Sequence, residues 1–206
     1  MIVLIGSGGH AKVVLDALFA GGTPARDVRI RDGDAGRIGS RLFDIAVEGP
    51  ELHPALTGMP VHVAIGSCSA RETLYEALVG IGAIAHSIFH PAAIVAASAT
   101  VRAGLFAAAG AVIGPGATIE QGVIVNHNAV VDHDCVVGPC CHIGPGALLG
   151  GGVRIGAGTL VGAGACILPG VTIGANAVVG AGAAVTRDVP AGETWVGVPA
   201  GKTVGQ

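Results

Sequence analysis

The chain has 206 residues, enough for one large domain or two small ones with a real core. Its 36 Gly, 51 % apolar, 3 % aromatic and 12 % charged residues point to tight turns around a narrow aliphatic core, and a net charge of −3 gives no reason to expect nucleic acid or an acidic membrane as partner. A mean hydropathy of +0.70 comes without any run of 18 apolar residues, so no membrane span is expected.

The opening Met1-Ile-Val-Leu-Ile-Gly6 lacks a basic leader and reads as a strand, so no secretory signal is expected. Residues 1–86 are predicted to form a small Rossmann-like α/β domain, because apolar β-rich runs alternate with helical patterns. Strands are expected at Ile2–Ile5, Val28–Arg31 and Val61–Ile65, and helices at His10–Ala20 and Ser69–Val79. The loop Gly6-x-Gly8-x-x-Ala11 lies between a strand and a helix, as in a dinucleotide fingerprint, with Asp32 placed to meet a ribose. Fewer than ninety residues precede the next segment, which is short for a full dinucleotide domain. A purely structural glycine turn with a solvated Lys12 is the plainer alternative.

From residue 87 to 206 the period changes to six. Every sixth residue from Phe89 to Val185 is apolar and nearly always large: fifteen of these seventeen are Val, Ile or Leu, and the frame never slips. Four residues after each comes a position that is nearly always small, and the residue directly after the large one is often Gly, as at 114, 138, 144, 150, 156, 162, 174 and 180, so a tight bend is expected there once per hexad. A continuous strand buries every second residue and a helix has period 3.6, so neither matches. A short strand and a bend, repeated, closes a three-sided coil of eighteen residues, and stacked coils bury a common core. The seventeen hexads then give between five and six coils.

In such a prism polar side chains at turn positions face outward. His127 and His133 both fall there, and His133 is flanked by Asp132 and Asp134. One coil further on stand Gly150, Gly151 and Gly152, which leave room beside that histidine. A solvated surface histidine is the bland alternative; the Asp-His-Asp setting favours a general base, since imidazole titrates near ~6.5 and a carboxylate can orient it. Cys135 and Cys141 fall on small inward positions and read as packing. The five cysteines form no C-x-x-C pair, which fits a reducing cytoplasm.

The repeated [Ile/Val/Leu]-Gly-x-x-small-x phrase resembles the hexapeptide transferases, whose prism is a left-handed parallel β-helix, so an all-β C-terminal domain of that kind is implied. Further phrases narrow the resemblance to the sialic-acid O-acetyltransferase-like branch, which includes the nucleotide-4-amino-sugar N-acetyltransferases of the bacillosamine and perosamine type. They are Gly6-Ser-Gly-Gly-His-Ala-Lys12, Ala64-Ile-Gly66 with Arg71, His90-Pro91, Val131-Asp-His-Asp-Cys135, His142 and Gly197-Val-Pro-Ala200. The resemblance implies a homotrimer that moves acetyl from acetyl-CoA to the 4-amino group of a nucleotide-linked 4-amino-4,6-dideoxy sugar, with no metal. It also implies His133 as base supported by Asp134, and His142, Gly151, Gly162 and Ala163 beside acetyl-CoA; the short N-terminal domain would hold the sugar nucleotide, with Gly8, Gly9, His10 and Lys12 near phosphate or sugar, Asp32 near ribose or base, and Gly66 in the same site. An oxyanion would be met by a backbone N–H or by His142. Gly201 displaces the basic residue that usually follows the closing Pro-Ala, which leaves Lys202 without an implied role.

Three alternatives stay open. A sugar O-acetyltransferase needs the same base. A zinc γ-class carbonic anhydrase would carry a His-x-x-x-x-His pair, whereas histidines 127, 133 and 142 are six and nine residues apart. A non-enzymatic prism that only binds a sugar nucleotide would not need His133.

Overall fold

The computed structural model describes residues 1–203. The N-terminal layer is a six-stranded sheet in the order β3-β4-β2-β1-β5-β6. Its strands are β1 (Ile2–Ile5), β2 (Val28–Arg31), β3 (Arg41–Leu42), β4 (Ile45–Glu48), β5 (Pro60–Val63) and β6 (Ile84–Ala85), with helices α1 (Gly9–Ala20) and α2 (Cys68–Gly80). All pairings are parallel except the short β3–β4 hairpin. Every residue of β1 is buried, as a strand covered on both faces must be, and this explains its unbroken Ile-Val-Leu-Ile run. Ala11, Val14, Leu15 and Leu18 form the buried stripe of α1. Strands β3, β4 and β6 were not anticipated from sequence, being short or half polar.

The prism follows. Seventeen two-residue strands from Ile88–Phe89 to Ala184–Val185 make five full coils and two sides of a sixth. They stack in parallel with an eighteen-residue register, Val112 on Val130 on Leu148, into three faces visited in turn. The first residue of each strand points out and the second in. Ile113, Val131, Leu149 and Ile167 form one buried interior column, and the small positions, Cys135 and Cys141 among them, are buried between the large ones. The frame fails at one end: Phe89 is 43 % and Val95 36 % exposed, because no coil lies beneath the first. At the other end Trp195 is buried over the last coil, its Nε1 donating to Glu193 (2.8 Å), which also takes Lys202 (2.6 Å).

The glycines divide into two classes that the sequence pattern does not separate. The left-handed residue of each turn lies three places after the large one, as at Gly116, Gly152 and Gly164, where a Cβ is strained. The glycines directly after the large residue have ordinary backbone. They are small because the next coil approaches: a Cβ on Gly156 would stand 2.4 Å from the Ala175 nitrogen. The bend expected at these positions therefore belongs two residues later.

The N-terminal layer packs on the first face, where Phe106, Ala108 and Ile124 share a core with Leu4, Ala11 and Val14. Arg71 of α2 locks the two together. Its buried guanidinium donates to the carbonyls of Ile65 (2.8 Å), Gly66 (3.1 Å) and Ser67 (3.2 Å) on one side, and of Gly122 (2.7 Å), Cys140 (2.7 Å) and Cys141 (3.1 Å) on the other. Tyr75 adds a second tie, its hydroxyl donating to the Gly104 carbonyl (3.1 Å) and accepting from the Val63 nitrogen (3.2 Å). Each buried carbonyl left unpaired costs about 1–3 kcal/mol. Arg71→Leu is therefore expected to lose about 3 kcal/mol or more, read as a lower denaturant midpoint and as earlier loss of the α/β layer in hydrogen exchange.

Candidate active site

His133 lies in the turn between the second and third faces, after the strand Val130–Val131. Its Nδ1 bonds Asp134 Oδ2 at 2.8 Å, and its backbone N–H donates to Asp132 Oδ1 at 2.7 Å. A neutral ring so held carries its proton on Nδ1 and keeps the Nε2 lone pair, which has no partner among the described residues. The Asp134 hydrogen bond, and then the charge of Asp132, raise the His133 pKa above the ordinary imidazole value.

Two glycines seat this pair. A Cβ on Gly151, in the next coil, would stand 2.3 Å from His133 Nε2 and 2.4 Å from Cε1; a Cβ on Gly116, in the previous coil, would stand 2.6 Å from Asp134 Oδ1. The space over Gly151 expected to admit substrate is taken by the ring itself. Asp134 occupies the left-handed turn position with φ 58°, a conformation that Asp and Asn tolerate better than other side chains.

His142 is elsewhere, on the first face. Its Nδ1 donates to the Gly66 carbonyl (3.1 Å) and its Nε2 accepts from the Asn126 amide (3.0 Å), so both nitrogens are engaged within the chain. Burial outweighs the Gly66 bond and lowers its pKa, which keeps it neutral. While these bonds last, His142 has no donor left for an oxyanion.

The glycine loop after β1 opens a pocket of about 250 Å³ lined by Gly6, Ser7, Gly8, Gly9, His10, Asp32, Arg37, Ala64, Ile65 and Gly66. It lies at the carboxyl ends of the parallel strands, where open α/β sheets bind ligands. Helix α1 is preceded by Gly8 at its N-cap, with no side-chain cap, so its first N–H groups are free for an anion. Asp32 Oδ2 accepts from both the N–H (2.7 Å) and the hydroxyl (2.6 Å) of Ser7. Burial alone would raise the Asp32 pKa, but the Ser7 and Asp34 hydrogen bonds and the Arg37 charge bring it below the usual carboxylate value. His10 packs edge-on to Phe106 at 5.2 Å, and burial, then the nearby His62 and His142, push its pKa down to about 3.

Residues 1–78 match the PglD N-terminal domain, and residues 116–151 and 152–187 match the bacterial transferase hexapeptide family (six repeats). GDP-perosamine N-acetyltransferase from Caulobacter crescentus, solved as a histidine-to-alanine variant with CoA and GDP-perosamine, is 38 % identical, with 99 % of this chain and 97 % of that one covered and a TM-score of 0.92. The chain belongs to the hexapeptide-repeat sugar N-acetyltransferases. Its coil is accordingly the left-handed parallel β-helix of that family. The acetyltransferase domain of PglB from Neisseria gonorrhoeae, solved with acetyl coenzyme A, is 35 % identical over 98 % of both chains, with a TM-score of 0.88. No curated protein matches.

Within this acetyltransferase the expected site residues do not converge. His133, Asp134 and Gly151 share the corner opposite the first face. Gly8, Gly9, His10, Asp32 and Gly66 line the pocket on the N-terminal side, Gly162 and Ala163 fall at the corner between first and second faces, and His142 links the two layers. Lys12 is exposed on α1 and does not line the pocket. The cation at the pocket is Arg37, which pattern reading passed over because residues 33–40 carry no apolar periodicity. Lys202 is paired with Glu193. Among the described residues no group of three or more His, Cys, Asp or Glu is arranged to hold a metal ion, and no helix is long and apolar enough to cross a membrane.

Proposed function

We propose that this acetyltransferase moves the acetyl group of acetyl-CoA onto the 4-amino group of a nucleotide-linked 4-amino-4,6-dideoxy sugar, as a cytoplasmic homotrimer. The observation that carries the chemistry is the exposed His133–Asp134 pair with Nε2 unengaged. The neutral amine attacks the thioester carbonyl carbon while His133 Nε2 accepts the proton that the new C–N bond displaces. The tetrahedral oxyanion then reforms the carbonyl, the C–S bond breaks, and the CoA thiolate takes the proton back from the imidazolium. Cys135 and Cys141 lie in the interior, with the Cys141 thiol pushed up to about 12 by burial, so neither is available as an acyl carrier.

Assembly is supported by two features of one chain. The outward residues of the second face, Ile94, Val112, Val130, Leu148, Cys166 and Ala184, form an apolar stripe in which Ile94 is 63 % and Leu148 44 % exposed. The third face instead presents Thr100, Thr118, Arg154 and Thr172 with Val136. His133 stands at the corner opposite the nucleotide pocket, so base and acceptor can meet only if the corner of one protomer reaches the pocket side of another. A ring of three satisfies every copy of the stripe. The five cysteines are all free thiols, which suits a reducing compartment.

The direct test incubates the protein with acetyl-CoA and UDP-, GDP- or dTDP-linked 4-amino-4,6-dideoxy sugars and follows free thiol. Turnover on one of them is expected; none on any would overturn the proposal. The pH profile gives a second check. The base must be neutral, so kcat/KM falls as pH drops through the raised His133 pKa. Asp134→Asn removes the main cause of that rise and is expected to move the acid limb to lower pH while lowering the plateau, with Asn keeping the left-handed turn.

A further inference from the structure

We infer that Arg37 is the cation that neutralises the diphosphate of the nucleotide-linked substrate, a role the loop motif would give to Lys12. The inference rests on the proposed sugar-nucleotide reading of the pocket after β1. A diphosphate brings at least two negative charges into a site where Asp32 already contributes one. Backbone N–H groups at the start of α1 offer partial charges only. His10, neutral through burial, adds none. Of the side chains that line the pocket, Arg37 alone carries a fixed positive charge.

Its placement is built. Arg37 Nη1 donates to the Ser7 carbonyl at 3.1 Å, which brings the guanidinium to the glycine loop, and a Cβ on Gly8 would stand 3.7 Å from that same nitrogen. Nε donates to Asp34 Oδ2 at 3.3 Å, while Asp34 Oδ1 accepts from the Gly36 N–H at 2.9 Å. Asp34 thus fixes the turn that delivers the arginine, and Asp32 anchors the start of that turn through the Asp34 N–H (2.9 Å). Nη2 has no partner among the described residues and is available, with the second proton of Nη1, for phosphate oxygens. The acidic pair at 32 and 34 accordingly organises the loop that carries the cation.

The test is calorimetric binding of GDP, UDP and dTDP to the full chain, alongside steady-state kinetics. Arg37→Gln is expected to raise the Kd of the nucleotide that wild type prefers by about 10- to 100-fold, the scale of a lost charge-assisted contact. KM for acetyl-CoA and the thermal midpoint should stay unchanged, and Arg37→Lys should recover part of the affinity. Lys12→Gln is the competing arm. Equal weakening by both substitutions, or none by Arg37→Gln, overturns the assignment to Arg37. If wild type binds none of the three nucleotides, the sugar-nucleotide reading of the pocket fails, an outcome distinct from wild-type binding that Arg37→Gln leaves intact.

Discussion

His133→Ala is expected to lower kcat/KM by about 10²–10⁴, the usual scale for loss of a general base, with little change in the affinity for either substrate. The ring is exposed and its one side-chain partner among the described residues is the exposed Asp134, so the fold should survive and the thermal midpoint should stay within about a degree of wild type. Single-turnover measurement of acetyl transfer separates loss of chemistry from slow release. A variant that transfers acetyl at the wild-type rate would remove His133 from the mechanism and revive the picture of a prism that merely binds its ligand.

The second large effect is expected at a residue with no chemistry of its own. Gly151→Ala adds one methyl group that would stand 2.3 Å from His133 Nε2. The backbone at 151 has no positive φ, so alanine is tolerated there and the cost falls on the ring. The imidazole must swing outward, which breaks or bends its hydrogen bond to Asp134. Misplacing a reacting group by about 1 Å can cost on the order of 10² in rate. Gly151→Ala is therefore expected to approach His133→Ala in kcat while leaving KM for the sugar nucleotide unchanged. Gly152→Ala is the contrast: it strains a left-handed turn, so it should reduce stability more than it reduces the rate. Wild-type kcat in Gly151→Ala would mean that the ring works from another position.

The prism was legible because its signal is one of volume. An interior wide enough for one large aliphatic per side repeats that demand every six residues, and the list from Ile113 to Val185 follows it without a slip. Where the demand lapses, at Phe89 and Val95, the pattern persists but the burial does not, since a period records what a position could pack and not whether a neighbour is there. The glycines were misassigned for a related reason. Composition shows where a side chain is missing, whereas only stacking reveals whether a turn or an approaching backbone removed it. The Asp132-His133-Asp134 cluster could be read because its three residues are adjacent in the chain. Arg37 and the engagement of His142 by Gly66 could not, as the first sits in a loop without periodicity and the second joins residues 76 apart.

Eighteen-residue stacking also limits how such an enzyme can be retuned. The corner that carries the imidazole is one rung of a ladder whose rungs are about 4.8 Å apart. Moving the Asp-His-Asp triplet to another rung shifts the imidazole along the column by that whole increment and never by a fraction of it. Finer adjustment must then come from the seating of the α/β layer on its face, where Arg71 and Tyr75 set the contact, so those two residues hold the vernier of a scale that the coils have already graduated.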